Sequence, residues 1–286
     1  MGRAGIVSSL GVPLMLLASA CGDSSRKGDD ALLGEAREGG VTVELPDPIR
    51  DVTISEARVP GRPIILIDPG HGGTDPGAMG VSGIMPEKAL TLAFATELRD
   101  RLIEGGRVRV AMTRDKDRTL SLDQRADLAR RIGASLFISV HMDSAPNPLA
   151  RGATVYSLSD VASDAEAARF ANSENAAGGA LSSEEDASVR FLLSDLALRD
   201  QMASSAALAQ RIVDSSRGRV LLRPEPHKFA AFHILRRSEI PGVLFEAGYI
   251  SNADDEAILI TSEGRKPIVQ ALAKAIETEL SLQMAR

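Results

Sequence analysis

Three short apolar runs each end at an acid or a histidine: IILID at 64–68, LFISVH at 136–141 and VLFE at 243–246. Runs this short, rich in branched residues and bounded by Gly or Pro, read as buried strands. Between them lie stretches with helical periodicity. PEKALTLAFATELRDRLIEGG repeats Leu90, Phe94, Leu98 and Leu102 every fourth residue, with Pro86 suited to the first turn and Gly105–Gly106 closing the helix. RVRVAMTR (107–114) reads as a strand. SLDQRADLARRIGA opens with Ser121 and Gln124 in capping-box spacing, and SDAEAARFANSENA repeats that spacing with Ser163 and Glu166. GATVYSL (152–158) is a further strand. VRFLLSDLALRDQMASSAALAQRIVDSS is one long or two shorter helices, and PIVQALAKAIETELSLQM is a terminal amphipathic helix. Alternation of strands with helices predicts an α/β fold, a mostly parallel sheet with helices on both faces. The C-terminal ends of the strands then share one edge, where such proteins place their ligands.

His71, His141 and Glu246 all fall at or just past such ends. Gly70, Gly72 and Gly73 flank His71, so the backbone can turn sharply beside the ring. Asp68 or Asp75 is placed to orient that imidazole. Glu87 follows just downstream, in a first helical turn where an acid is favoured by the dipole whatever else it does. Glu246 sits deep in an apolar strand, and a buried carboxylate is costly unless it is paired or functional. Its bland alternative is a buried ion pair with Arg236 or Arg237. Taken together, His71, Glu87 and His141 read as the ligands of one zinc ion, with Glu246 as general base. The single cysteine, Cys21, rules out zinc sites built on two or more thiolates. HKFAAFHILRR reads as a loop and then a strand, which makes His227 a surface residue and His233 a packed one.

The 286 residues are 44% hydrophobic, enough for one good core rather than two large domains. A net charge of −6, no Trp and two Tyr give no footing for nucleic acid. The N-terminus has the form of a signal peptide: Arg3, then an apolar run from Ile6 to Ala20. Cys21 after Leu17-Ala18-Ser19-Ala20 is similar to a bacterial lipobox, with Ala18 where Leu is commonest. Lipidation at Cys21 is one outcome and ordinary cleavage near Ala20 the other; both mean export. Residues 22–61, which include VTVEL, read as a linker with one edge strand.

In that order, IDPGHGGTDPGA, PEKALTLAFATELRDRL, MTRDKDRTLSLDQRADLAR, LFISVHMDSAPN and IPGVLFEAGYISNADDE resemble the zinc-dependent N-acetylmuramoyl-L-alanine amidases. They are most similar to the periplasmic cell-separation enzymes of Gram-negative bacteria, over about residues 62–282. The resemblance implies a single α/β domain with about six strands, one zinc held by His71, Glu87 and His141, and Glu246 as the catalytic acid–base. It implies peptidoglycan as substrate, cut between the lactyl group of N-acetylmuramic acid and L-alanine. It also implies a regulatory helical insertion at about 160–200 that blocks the zinc until an activator with a LytM-like domain displaces it. Within that insertion, Glu184 or Glu185 is the expected carboxylate on zinc. The expected location is the periplasm, with Cys21 a possible tether to the outer membrane in place of a separate targeting domain. Nothing calls for an oligomer, so a monomer is expected. Two rival readings share the fold: a non-catalytic peptidoglycan-binding module, and a zinc peptidase cutting within the stem peptide.

Overall fold

IILID begins an interior strand of the seven-stranded sheet formed by the described residues. The computed structural model describes residues 52–177 and 190–284. In chain order the elements are β1 (Ile54–Ser55), β2 (Ile64–Pro69), α1 (Glu87–Gly105), β3 (Arg109–Met112), α2 (Leu122–Arg131) and β4 (Leu136–Asp143). Next come β5 (Ala153–Leu158), α3 (Ala165–Ala177), α4 (Arg190–Ser216) and β6 (Leu222–Ala230). The chain ends with α5 (His233–Ser238), β7 (Gly242–Tyr249), α6 (Ala253–Leu259) and α7 (Ser262–Gln283).

The sheet order is β1-β3-β2-β4-β7-β5-β6. β3, β2, β4 and β7 run parallel. β5 is antiparallel to β7, β6 is parallel to β5, and the short β1 is antiparallel to β3. From β2 the chain moves one way to β3, then crosses back to β4 on the other side. The order therefore reverses between β2 and β4, and a crevice opens at their C-terminal ends. His71 and His141 are the histidines at those two ends.

Two hydrophobic layers cover the faces. One packs α1 (Leu90, Phe94, Leu98), α7 (Ile268, Leu272, Ile276) and the later part of α4 (Leu208, Ile212) against the sheet. The other gathers α2 (Leu128, Ala129), α3 (Ala167, Ala171) and α5 (Ile234, Leu235) over Leu66, Phe137, Leu244 and Tyr156. The expected single domain with helices on both faces is what forms.

Local departures have local causes. Pro86 is the N-cap of α1 rather than part of its first turn, and Gly106, at φ 68°, closes the helix by donating to Leu102 O and Ile103 O. The Ser121–Gln124 capping box is present. The second one is not. Ser163 Oγ accepts from Phe229 N–H, and Asp164 caps α3 by accepting from Ala167 N–H at 2.8 Å. Asp caps as well as Ser, so the Ser-x-x-Glu spacing picked the wrong neighbour. The loop expected around His227 is strand β6, and the strand expected at His233 is the helix α5. β6 contains Pro224 and Pro226, which are tolerated because it lies at the sheet edge. The seventh strand is β1, the edge strand of the linker segment, and Val52 and Ile54 pack on the core. VTVEL, the signal segment, Cys21 and the acidic pair Glu184–Glu185 lie outside the described residues. Among the described residues no helix is long and apolar enough to cross a membrane.

Asp68, on β2, is buried and accepts from Arg125 Nη1 at 2.8 Å, Thr113 Oγ1 at 2.6 Å and Ser139 Oγ at 2.9 Å. Burial pushes its carboxyl up, but Arg125 and these hydrogen bonds outweigh burial and hold it below its ordinary value. The stabilisation is therefore complete above the ordinary carboxylate range and lost as pH falls through it toward the lowered native value. Asp68→Asn leaves Arg125 without its partner charge and is expected to cost about 3–5 kcal/mol near pH 7. In urea melts the gap to wild type should narrow as pH is lowered toward 3. A gap that stays constant with pH would show that Asp68 carries no depressed titration.

Candidate metal centre and active site

The loop after β2 is built to aim one imidazole. His71 adopts φ 60°, a left-handed conformation uncommon for a residue with a Cβ. The loop is clamped by two buried guanidiniums. Arg125 donates to Pro69 O at 2.8 Å and His71 O at 2.7 Å. Arg114 donates to Pro69 O at 3.0 Å and Gly70 O at 2.8 Å, and also to Lys88 O at 2.9 Å on α1. The same side chain therefore fixes both the His71 loop and the helix that starts at Glu87. A Cβ on Gly70 would lie 2.4 Å from the His141 ring, and one on Gly77 would lie 2.6 Å from Glu87 Oε2. These two glycines are where the backbone must pass beside the cluster.

His71 Nδ1 is 2.8 Å from Asp75 Oδ2, so Asp75 and not Asp68 orients the ring. With the proton on Nδ1, Nε2 presents a lone pair. That atom is 3.1 Å from Glu87 Oε1, and His141 Nδ1 is 3.3 Å from the same oxygen. The rings meet edge to face at a centroid distance of 4.8 Å. Glu87 is held from behind: Oε1 accepts from Met142 N–H and Oε2 from Ala78 N–H, each at 3.0 Å. His71 Nε2 and His141 Nδ1 are buried and make no hydrogen bond of good geometry with any partner. Lone pairs converging without a donor repel unless a cation sits among them. Ligands about 2.0–2.1 Å from a tetrahedral metal lie about 3.3 Å apart, which matches the spacings seen. The residues present therefore fit a metal ion.

The field agrees. Burial disfavours an imidazolium at His71, yet the Asp75 and Glu87 carboxylates overcome it and push the group up to about 10. For Glu87, burial raises and the two histidines lower, with a net shift downward. The cluster favours a positive charge at its centre, whether a proton or a metal ion.

Glu246 is the Cα partner of His141 across β4 and β7, so the two side chains share a face of the sheet. It is fully buried, and neither carboxylate oxygen has a hydrogen-bond partner. Burial first, then the charges of Asp143, Glu87 and Glu174, push it well above the ordinary range. The ion pair with Arg236 or Arg237 is not made: Arg236 meets Asp160, and Arg237 meets Asp123 at 2.6 Å. His227 hydrogen-bonds Ser157 at 2.9 Å, and His233 lies at the start of α5; neither joins the cluster.

One residue at the site was missed. Glu174, near the end of α3, places Oε2 3.5 Å from His141 Nδ1. His71, His141 and Glu174 each offer a ligand atom within 4.8 Å of the others. Its neighbour Asn175 holds the helix end down, donating to Ala231 O at 2.9 Å and accepting from His233 N–H at 2.8 Å. In the sequence Glu174 is one polar residue among several in NSENAA, with no marker of its role.

Residues 65–278 match the family described as N-acetylmuramoyl-L-alanine amidase. The chain is 34% identical over 220 residues to the N-acetylmuramoyl-L-alanine amidase AmiA of Escherichia coli K12, which spans 76% of this chain and 75% of that protein. The structure of the amidase AmiC2 of Nostoc punctiforme superposes with a TM-score of 0.58 at 26% identity, covering 77% of this chain and 98% of that one. The CwlD amidase of Clostridioides difficile, solved in complex with the GerS lipoprotein, shares the fold, with a TM-score of 0.58 at 21% identity over 77% and 100% of the two chains.

Titration calorimetry with Zn2+ should show one ion per chain, with affinity falling as pH drops from 8 to 6, because the histidines must be neutral to bind. Asp75→Asn is expected to weaken that affinity about 10–100-fold without unfolding the protein. Equal affinity in the variant would remove Asp75 from the support of His71.

Proposed function

Since the chain belongs to the N-acetylmuramoyl-L-alanine amidase family and hydrolyses that amide in peptidoglycan, we propose that His71, Glu87 and His141 hold one zinc ion and that Glu246 moves the protons. The observation that carries this reading is the convergence of two unpartnered imidazole lone pairs on Glu87 Oε1, with an unpaired Glu246 in register beside them. The chemistry that zinc supplies in such a site is Lewis acidity toward a carbonyl oxygen and a lowered pKa for water. Asp75 keeps His71 in the tautomer that offers Nε2. The Glu246 carboxylate accepts a proton from the attacking water, whose oxygen bonds to the lactyl carbonyl carbon. As the C–N bond breaks, Glu246 returns that proton to the nitrogen of L-alanine, which leaves as the amino end of the stem peptide. A nearby cation favours the ionised form of a carboxyl that burial would otherwise keep protonated.

In this reading α3 closes the resting site. The carboxylate it brings is Glu174, within the insertion expected at about 160–200. An activator of the LytM-like type draws α3 away. The natural setting is cell-wall remodelling and daughter-cell separation in the periplasm. Cys21, if lipidated, adds an outer-membrane tether.

Glu246→Gln should reduce stem-peptide release from sacculi by about 10²–10⁴-fold while leaving zinc binding intact. Mass spectrometry should find peptides that begin at L-alanine; products cut inside the stem would instead favour a peptidase. Glu174→Ala should raise the basal rate in the absence of any activator. An unchanged rate with zinc bound would sink the plug assignment.

A further inference from the structure

Beside the metal cluster, β6 and β7 hold a second polar assembly that the hydrolytic chemistry does not use. Arg223 Nη1 donates to Tyr249 Oη at 2.7 Å, and its guanidinium lies over the Tyr249 ring at 5.2 Å. Its Nη2 donates to Glu166 Oε2 at 3.1 Å, and Lys228 Nζ reaches the same oxygen at 3.3 Å. Tyr249 Oη is 3.4 Å from Glu166 Oε1. Lys228 Nζ also binds Asp164 Oδ2 at 2.9 Å, and its side chain is only 6% exposed. A cavity of about 510 Å³ opens onto Arg223 between α3 and the 143–150 loop, with Arg169 and Asn147 on its wall. The cavity's other acid, Asp143, accepts from Ser144 N–H at 2.6 Å.

Both carboxylates that neutralise this receptor, Asp164 and Glu166, flank or begin α3, the element that also brings Glu174 to the metal position. If α3 leaves, a guanidinium and a nearly buried ammonium lose their counter-charges, which is costly unless another anion replaces them. The placement suits the substrate. Tyr249 is the Cα partner of Asp143, which lies two residues past His141, or about 7 Å along β4; the register shift places Tyr249 three residues past Glu246 on β7. In an extended stem peptide, the residue after L-alanine carries its free α-carboxylate about that far from the scissile nitrogen.

We propose that Arg223, supported by Tyr249 and Lys228, is the subsite for the stem-peptide carboxylate that follows L-alanine, and that Glu166 occupies it in the resting enzyme. The proposal rests on the amidase assignment and deepens it. Arg223 is then a specificity-determining residue, with no part in the proton transfers.

The test uses the full chain carrying Glu166→Gln, which frees the receptor, together with Glu174→Ala, which opens the metal position. The substrates are two soluble glycan-linked stem peptides that differ only at the second residue, D-glutamate or D-isoglutamine. The acid substrate should show a kcat/KM at least about tenfold above the amide substrate, carried mostly by KM, because a charge-assisted bond is replaced by a neutral one. Adding Arg223→Met should remove the preference by lowering the acid value alone, and Arg223→Lys should restore part of it. Equal loss on both substrates, or no preference before Arg223 is changed, would overturn the subsite. A preference that depends on Arg223, together with an inert Glu174→Ala, would leave the subsite standing and defeat only the plug. Release of peptides that do not begin at L-alanine would defeat the amidase assignment and the subsite with it.

Discussion

Two buried guanidiniums make the site possible. Arg125 and Arg114 donate to successive carbonyls of the Pro69–His71 turn, and Arg114 extends the same grip to Lys88 O and Thr91 Oγ1 on α1. A turn that carries a left-handed His71 would relax without such a clamp. Burying two cations is tolerable because Asp68 is ionised beside Arg125 and because the fork of each arginine is filled by carbonyl oxygens. Burial and the like charge of Arg125 bring Arg114 down to about 10, still well above neutrality. The position of Glu87 relative to His71 is thus set by one side chain from a third element.

The sheet does the rest. Reversal of strand order between β2 and β4 leaves a crevice that no crossover covers, and β7 then lies alongside β4 so that Glu246 falls in register with His141. A shift in the β4–β7 pairing between His141 and Asp143 follows at once, so Asp143 pairs with Tyr249. Beyond it, β5 runs antiparallel to β7, and α3 packs on the face of the sheet that carries His141 and Glu246. That one helix, α3, reaches both His141 of the candidate metal cluster, through Glu174, and Arg223, through Glu166. Both contacts of α3 are therefore set by one packing arrangement.

Where reading the chain went astray, the cause was a competition that local pattern does not rank. Ser163 and Asp164 are both good caps; the Phe229 N–H of the neighbouring edge strand took the first and left the second for α3. The loop expected at HKFAA is part of β6, an edge strand, which has one side free of ladder partners and so also accepts Pro224 and Pro226. His233 sits among branched and aromatic residues that suit a strand, but six residues there turn as α5 and pack over Leu244. Glu246 alone left a buried ion pair open as the lesser reading; the positions of Asp160 and Asp123 show where Arg236 and Arg237 go instead.

The sequence by itself determined the α/β class, the central strands, α1 with its Gly106 stop, α2 with its Ser121 capping box, and His71, His141, Glu87 and Glu246 as the residues at one edge. Those features are legible because they depend on period, capping spacing and motif order, all of which are local. The tertiary structure alone decided that Asp75 rather than Asp68 orients His71, that two arginines hold the loop, that Glu174 reaches the cluster, and that Glu166 sits on Arg223. Each of these is a contact between elements far apart in the chain, or a choice between two equally eligible neighbours. A charged residue carries no mark of which distant partner will share its burial, so such contacts are settled only when the layers pack.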